Sequence, residues 1–270
     1  MYWVELIERT DRGVLVRNRA EKNRRDTPEV TQVIEPELIY PLLRWGDVGR
    51  WRAVPSGHLL LVQDLRLRRG IDPEVMQREY PATLGYLRRF ERLLRGRAAY
   101  RRYQHAAAFY SMYNVATYTA APWKVVWRRM DRHLRAAVAG PVDDPLLGRR
   151  PAVPQETCVL VAVASPDEAH YACALLNSAV VDFLVRSHSV RGGKGFGTPS
   201  MLDYLRLRRF DPKDGRHAEL ARRSRQAHET AAAGGDVAAT EHQIDRLAGA
   251  LWELREDESD DIRRELTETS

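Results

Sequence analysis

The sequence predicts an α+β fold: a mixed or antiparallel β core with flanking helices and a helical C-terminal segment. Three observations predict it. Short apolar and β-branched runs bounded by turn residues recur between Tyr2 and Ala164. The stretch Ala82–Arg97 sets Leu84, Leu87, Phe90 and Leu94 at helical spacing, with Arg88, Arg92 and Arg95 on another face. From Asp214 onward the pattern is helical, with a break at Ala231-Ala232-Ala233-Gly234-Gly235.

In chain order, Tyr2–Glu8 and Gly13–Arg17 read as strands joined by the turn Asp11-Arg12-Gly13. Asn18 to Pro28 is polar and reads as a loop, and Pro36–Trp51 as a compact unit punctuated by proline and aromatic residues. His58–Gln63 reads as a buried strand through its run Leu59-Leu60-Leu61-Val62. Phe109–Trp127 reads as one or two strands with a turn at Ala121-Pro122, and Arg135–Ala139 and Thr157–Ala164 as further strands. Ser165 or Asp167 caps a helix expected from Pro166 to about Val185. Ser187–Ser200 is a glycine-rich basic loop, a short strand is expected near Tyr204–Leu207, and the last fifteen or so residues read as a frayed acidic end.

The 270 residues suffice for one large domain or two small ones. With 44% hydrophobic and 30% charged residues, the composition excludes a fully disordered chain. The longest mostly apolar run, Ala172–Val185, is interrupted by Asn177, Ser178 and Asp182 and is too short to span a bilayer. Met1–Arg9 lacks the basic head and apolar stretch of a secretory signal. Cys158 and Cys173, the only cysteines, exclude a disulfide scaffold and a four-cysteine zinc site. A cytoplasmic protein with no membrane contact is expected.

Charge is unevenly spread. Residues 36–135 carry 19 basic and 8 acidic side chains, whereas residues 211–270 carry 9 and 15. A basic block attracts polyanions, nucleic acid foremost. Only four of the 43 basic residues are lysine; arginine pairs bidentately with phosphate or a guanine edge, although a GC-rich genome also favours it. The clustering carries more weight than this ratio.

No complete catalytic motif is present. The chain has no Gly-x-x-x-x-Gly-Lys-Ser/Thr loop, no His-Glu-x-x-His and no Gly-x-Ser-x-Gly. The run Gly192-Gly193-Lys194-Gly195-Phe196-Gly197 lacks phosphate-loop spacing and reads as a flexible loop whose backbone can approach a ligand. Cys158, Cys173, His170 and His188 make a weak metal set, because both cysteines sit in apolar segments. Asp203, Asp211 and Lys213 match a nuclease set no better than chance, and no Asn/Asp-Pro-Pro-Tyr/Phe tetrapeptide is present.

The run Ile34-Glu35-Pro36-Glu37-Leu38-Ile39-Tyr40-Pro41-Leu42-Leu43-Arg44-Trp45-Gly46-Asp47-Val48-Gly49-Arg50-Trp51 resembles the opening of a TaqI-type C-terminal specificity domain. Such domains are the target-recognition regions of adenine-N6 DNA methyltransferases and type II restriction-modification enzymes. Trp45 stands where a glycine is usual. The resemblance continues in order through Tyr80–Leu87 and the arginine-rich helix, Ala108–Met112, Pro122–Trp127, Ala169–Ser178, Gly195–Pro199 and Phe210-Asp211-Pro212, covering roughly residues 1 to 230. It implies three regions: an N-terminal β extension (1–35), a DNA target-recognition domain (36–212) and a helical C-terminal segment with an acidic tail (213–270). In the family this region follows a catalytic domain with an S-adenosylmethionine site, and the present chain starts almost where that domain would end.

The expected function is therefore sequence-specific binding of double-stranded DNA as the non-catalytic specificity part of a restriction-modification methyltransferase. No cofactor is expected in this chain; S-adenosylmethionine is expected on a separate methyltransferase catalytic subunit. Arg88, Arg92, Arg95, Arg97 and Arg101 are the candidate phosphate contacts. Base reading is expected from the loop Arg191–Thr198, with Arg191, Lys194 and Thr198, and then from Lys124, Arg128 and Arg129. Core packing is expected for at least half of Tyr110, Tyr113, Trp123 and Trp127, and local hydrogen bonding for Asn177 and Ser178. The alternatives are a catalytically active restriction-modification fragment, nuclease or methyltransferase, and a basic adaptor for RNA or an acidic protein.

Overall fold

The first hairpin, Trp3–Thr10 paired antiparallel with Gly13–Asn18, turns at Gly13, whose φ is +146° and whose absent Cβ would lie 2.2 Å from the Ile34 carbonyl oxygen. It opens a computed structural model that describes residues 1–19, 27–131, 133–188, 202–205 and 207–268. The chain divides into two units, each gathered from separate stretches. Unit 1 comprises residues 1–42, 55–122 and 141–153, and unit 2 comprises 43–54, 123–140 and 154–270.

Unit 1 is built on a six-stranded sheet. Its spatial order is Val153–Pro154, Ile39–Leu43, Gly57–Leu60, Trp3–Thr10, Gly13–Asn18 and Thr31–Ile34. Alternation buries Val14 and Val16 on one face of the second hairpin strand. Asn18 is also buried because its carboxamide accepts from Val30 N (2.6 Å) and donates to the Pro28 carbonyl (3.0 Å). The helices Pro73–Glu79, Pro81–Arg88 and Glu91–Arg95 add Met76, Leu84, Leu87 and Leu94 to this core. Glu35 caps the second of them, accepting from Ala82 N (2.9 Å), Thr83 N (2.7 Å) and the Thr83 hydroxyl (2.6 Å). A carboxylate at that end also complements the helix dipole.

Unit 2 centres on the strand Trp123–Arg128, flanked antiparallel by Ala136–Ala139 and Cys158–Val163. The helices Pro166–Leu176, Ala179–His188, Gly215–Ala232 and Ala238–Leu251 supply apolar faces to a core that includes Trp51, Trp127, Tyr171, Leu220 and Ile244. Ser165 caps the first, its hydroxyl accepting from Glu168 N at 3.1 Å, as the sequence predicts. The fold class is α+β.

Several elements differ from expectation for identifiable reasons. The amphipathic stretch 82–97 is two helices, broken at Phe90 (φ −109°, ψ 8°), whose ring is buried in the core. The expected helix from Pro166 to Val185 is broken at Asn177-Ser178: Asn177 exchanges two hydrogen bonds with Ala136, and Ser178 Oγ donates back to the Leu175 carbonyl. Residues 109–115 form no strand; the strand begins only at Trp123. A short helix, Leu202–Leu205, stands where a strand was expected. The acidic end is a helix, Glu256–Glu268, because Glu256, Asp257 and Glu258 fall in its first turn, where negative charge is favourable.

Trp3 and Val4 pair with Leu59 and His58, so the first hairpin lies inside the sheet of unit 1. Leu220, Ala221, Ala227, Ile244 and Ala248 are core residues of unit 2.

Candidate nucleic-acid interface

Unit 1 concentrates positive charge over one stretch of sequence: residues 66–102 hold eleven arginines against four acidic residues. The fold sorts these arginines by role. Arg88 and Arg92 project to solvent from the two short helices whose apolar sides bury Leu84, Leu87 and Leu94. Arg89 is exposed between them. Arg95 is also exposed and holds an i, i+4 ion pair with Glu91 at 2.7 Å. Exposed pairs of this kind are worth little. Arg101 and Arg102 are exposed on the π-helical turn Tyr100–Gln104.

Arg97 is different. Its Nε donates to the Leu94 carbonyl (2.9 Å) and its Nη2 to those of Phe109 (3.1 Å) and Ser111 (2.9 Å). Its guanidinium also lies over the rings of Tyr2 and Tyr100, at 5.2 and 5.8 Å. These contacts make it a strut of unit 1, so it is withdrawn from the expected phosphate contacts.

A second basic element was not singled out from the sequence. Arg66, Leu67, Arg68 and Arg69 are exposed at the turn between the short paired strands Gln63–Asp64 and Arg69–Gly70. Asp64 Oδ1 builds this turn by accepting from the amides of Arg66 (2.9 Å) and Leu67 (2.8 Å), while Arg68 takes a left-handed φ of 55°. Gln104 donates to the Arg68 carbonyl at 3.4 Å, which brings this turn beside Arg101 and Arg102. Gly70 permits the close approach beneath it, since a Cβ there would lie 2.7 Å from Ser111 Oγ. The run Arg66-Leu67-Arg68-Arg69 was the available sequence signal; its neighbours were not legible.

The same surface carries an aromatic pair. Tyr103 (47% exposed) and Tyr113 (50%) stack with centroids 4.1 Å apart and planes 18° from parallel. The Arg102 guanidinium lies 5.2 Å from the Tyr103 centroid. Of the four aromatics weighed as core, Tyr110 and Trp127 are buried and Trp123 packs against the core, whereas Tyr113 faces water.

In unit 2, two of the expected base-reading residues, Lys124 and Arg128, are held within the unit. Lys124 is 0% exposed within the central strand, and burial pushes its pKa down to about 8, so it is withdrawn from the groove-reaching set. Arg128 keeps only 16% of its side chain exposed. Its Nε donates to the carbonyls of Trp45 (3.1 Å) and Val48 (2.6 Å), and its guanidinium stacks 4.1 Å from the Trp45 ring centre. It is a strut of unit 2. Arg129 is exposed. Arg191, Lys194 and Thr198 lie outside the described residues.

Cys158 and Cys173 are both buried, which pushes the Cys158 thiol up to about 11 and the Cys173 thiol higher still. Such thiols are poor metal ligands. Among the described residues, no group of three or more His, Cys, Asp or Glu could hold a metal ion, and no helix is long and apolar enough to cross a membrane. No known protein family matches the chain, and no curated protein is detectably similar to it.

Proposed function

We propose that this chain binds double-stranded DNA sequence-specifically in the cytoplasm, as the specificity part of an adenine-N6 methyltransferase of a restriction-modification system. The observation that carries the DNA reading is the exposed arginines of unit 1: Arg88, Arg89, Arg92 and Arg95 on and between its short helices, and Arg101 and Arg102 beside the turn Arg66–Arg69. Arginines on short helices and a braced turn present donors to a phosphate backbone, which positions the protein without reading sequence. The order of motifs resembling TaqI-type specificity domains supports the methyltransferase assignment. On this reading, methyl transfer belongs to a separate subunit that binds S-adenosylmethionine, and the residues that read bases include Arg191, Lys194 and Thr198.

The test is the salt dependence of duplex binding. If six phosphates are engaged, log Kd against log salt has a slope of magnitude about 5, and affinity falls about a thousandfold between 50 and 200 mM salt. Arg88→Ala and Arg92→Ala each lower that slope by about one, equally for all sequences, whereas Arg191→Ala with Lys194→Ala changes sequence preference. A slope near zero, or no duplex binding at low salt, refutes the DNA reading. Equal or tighter retention on RNA or heparin in competition refutes the assignment to duplex DNA. Specific methylation of duplex by the mixture of this chain with its catalytic subunit, and not by either alone, is the expected result for the methyltransferase assignment.

A further inference from the structure

We propose that the Tyr103–Tyr113 stack is a platform for an unpaired nucleobase, so that this face binds DNA carrying an extrahelical base more tightly than perfect duplex. The inference rests on the DNA reading of the same face and goes further, naming the DNA form it prefers.

The platform is built rather than incidental. Tyr113 follows Met112, whose amide donates to Gln63 Oε1 and whose carbonyl accepts from Gln63 Nε2, both at 2.9 Å. Ser111 is fixed beside it, with its Oγ accepting from Gly70 N at 2.9 Å. On the other side, Asn114 adopts a left-handed φ of 57°, and Tyr118 Oη donates to its carbonyl (3.0 Å) and lies 3.1 Å from its Oδ1. The backbone that carries Tyr113 is therefore braced before and after it. Tyr103 is held comparably: Tyr100, at the start of its turn, is buried and donates to the Ala107 carbonyl at 2.9 Å, while Gln104 bonds the Arg68 carbonyl.

Two large rings carried on braced backbone and half in water lose apolar burial that a core position would supply. Their surroundings identify the chemistry that restores it. Arg102 lies over one ring, and Arg101, Arg66, Arg68 and Arg69 are exposed on the joined segments, so a ligand here combines a flat π-face with negative charge. A nucleotide has both: its base stacks on a tyrosine while the flanking phosphates meet the guanidinium groups. Within perfect duplex each base is covered on both faces by its neighbours. Only a base outside the helix offers a free face to the stack.

The experiment compares a labelled 24-base-pair duplex with the same duplex bearing one central bulged adenine, by fluorescence anisotropy with the full chain. The bulged duplex should bind about tenfold more tightly, given the usual strength of base–tyrosine stacking. Tyr103→Leu and Tyr113→Leu should bring the two affinities to within about twofold of each other, whereas Tyr103→Phe and Tyr113→Phe keep the preference, because phenylalanine stacks equally. Native urea-unfolding midpoints of all four variants show that they are folded. With 2-aminopurine as the bulged base, binding should quench its fluorescence in the native chain and not in the leucine variants. Equal affinity of the native chain for both duplexes overturns the platform alone, and so does a preference that survives both leucine variants. No binding to either duplex overturns the DNA reading and the platform with it.

Discussion

Replacing Arg97 by methionine separates a structural arginine from a DNA-contacting one. Methionine keeps most of the aliphatic stem but removes the donors to three carbonyls, at Leu94, Phe109 and Ser111. Leu94, Phe109 and Ser111 are buried, so these oxygens gain little water in exchange. At about 1 kcal/mol net for each lost bond, the change costs unit 1 about 3 kcal/mol. The assay is native-state hydrogen exchange. The reporters are the amides of Gly70 and Met112, held by Ser111 Oγ and Gln63 Oε1 in the segment that Arg97 clamps. A loss of about 3 kcal/mol raises their exchange rates about a hundredfold. The Ala136 amide of unit 2, held by Asn177 Oδ1, should exchange as before. Arg92→Met, at an exposed position, should shift stability by less than about 0.5 kcal/mol while lowering the salt slope of duplex binding by about one. Unchanged protection at Gly70 and Met112 in Arg97→Met would refute the reasoning, as would a drop in its salt slope equal to that of Arg92→Met.

Unit 2 yields two further predictions. Asn177→Ala removes both bonds to Ala136, at 2.9 and 2.8 Å, and leaves a buried amide without that acceptor; urea unfolding should show a loss of about 2–3 kcal/mol. A loss below about 1 kcal/mol would show that the Asn177–Ala136 bridge does not hold the helix break to the sheet. The second concerns pH. Burial lowers the His170 pKa to about 3, and lowers that of His228, whose Nε2 accepts from Val138 N (3.0 Å) and whose Nδ1 lies 2.7 Å from the Ser224 carbonyl. Both imidazoles are favoured neutral in the folded state, so the unfolded chain takes up the protons first as pH falls below about 6.5. Stability is full above that value and is lost downward toward the folded pKa, with His170 contributing about 1.4 kcal/mol per pH unit. His170→Gln should therefore flatten the decline between pH 6.5 and pH 5 by about 2 kcal/mol. Tryptophan fluorescence is a suitable readout because Trp45, Trp51, Trp123, Trp127 and Trp252 all belong to unit 2. Identical pH slopes in the two proteins would exclude His170 as the titrating group.

The sequence by itself determined the α+β class, because alternation and helical spacing are local and survive whatever the neighbours are. It likewise determined that the helix at Pro166 is capped by Ser165 or Asp167, of which the structure uses Ser165, and it determined the local bonding of Ser178 and the crowding of arginines between residues 66 and 102. Tertiary structure decided which arginines face water. Arg92 and Arg97 are equivalent as members of a basic run, yet only Arg97 meets the Phe109–Ser111 carbonyls, and that segment's path depends on bonds to Gln63 and Gly70 some forty residues distant. Tertiary structure likewise placed Lys124 and Tyr113: the sheet encloses the lysine, while long-range hydrogen bonds hold an irregular segment so that its tyrosine meets Tyr103 in water. Periodicity fixes the side on which a residue lies within a regular element; in a segment without one, the side is set by partners that the chain brings back from afar.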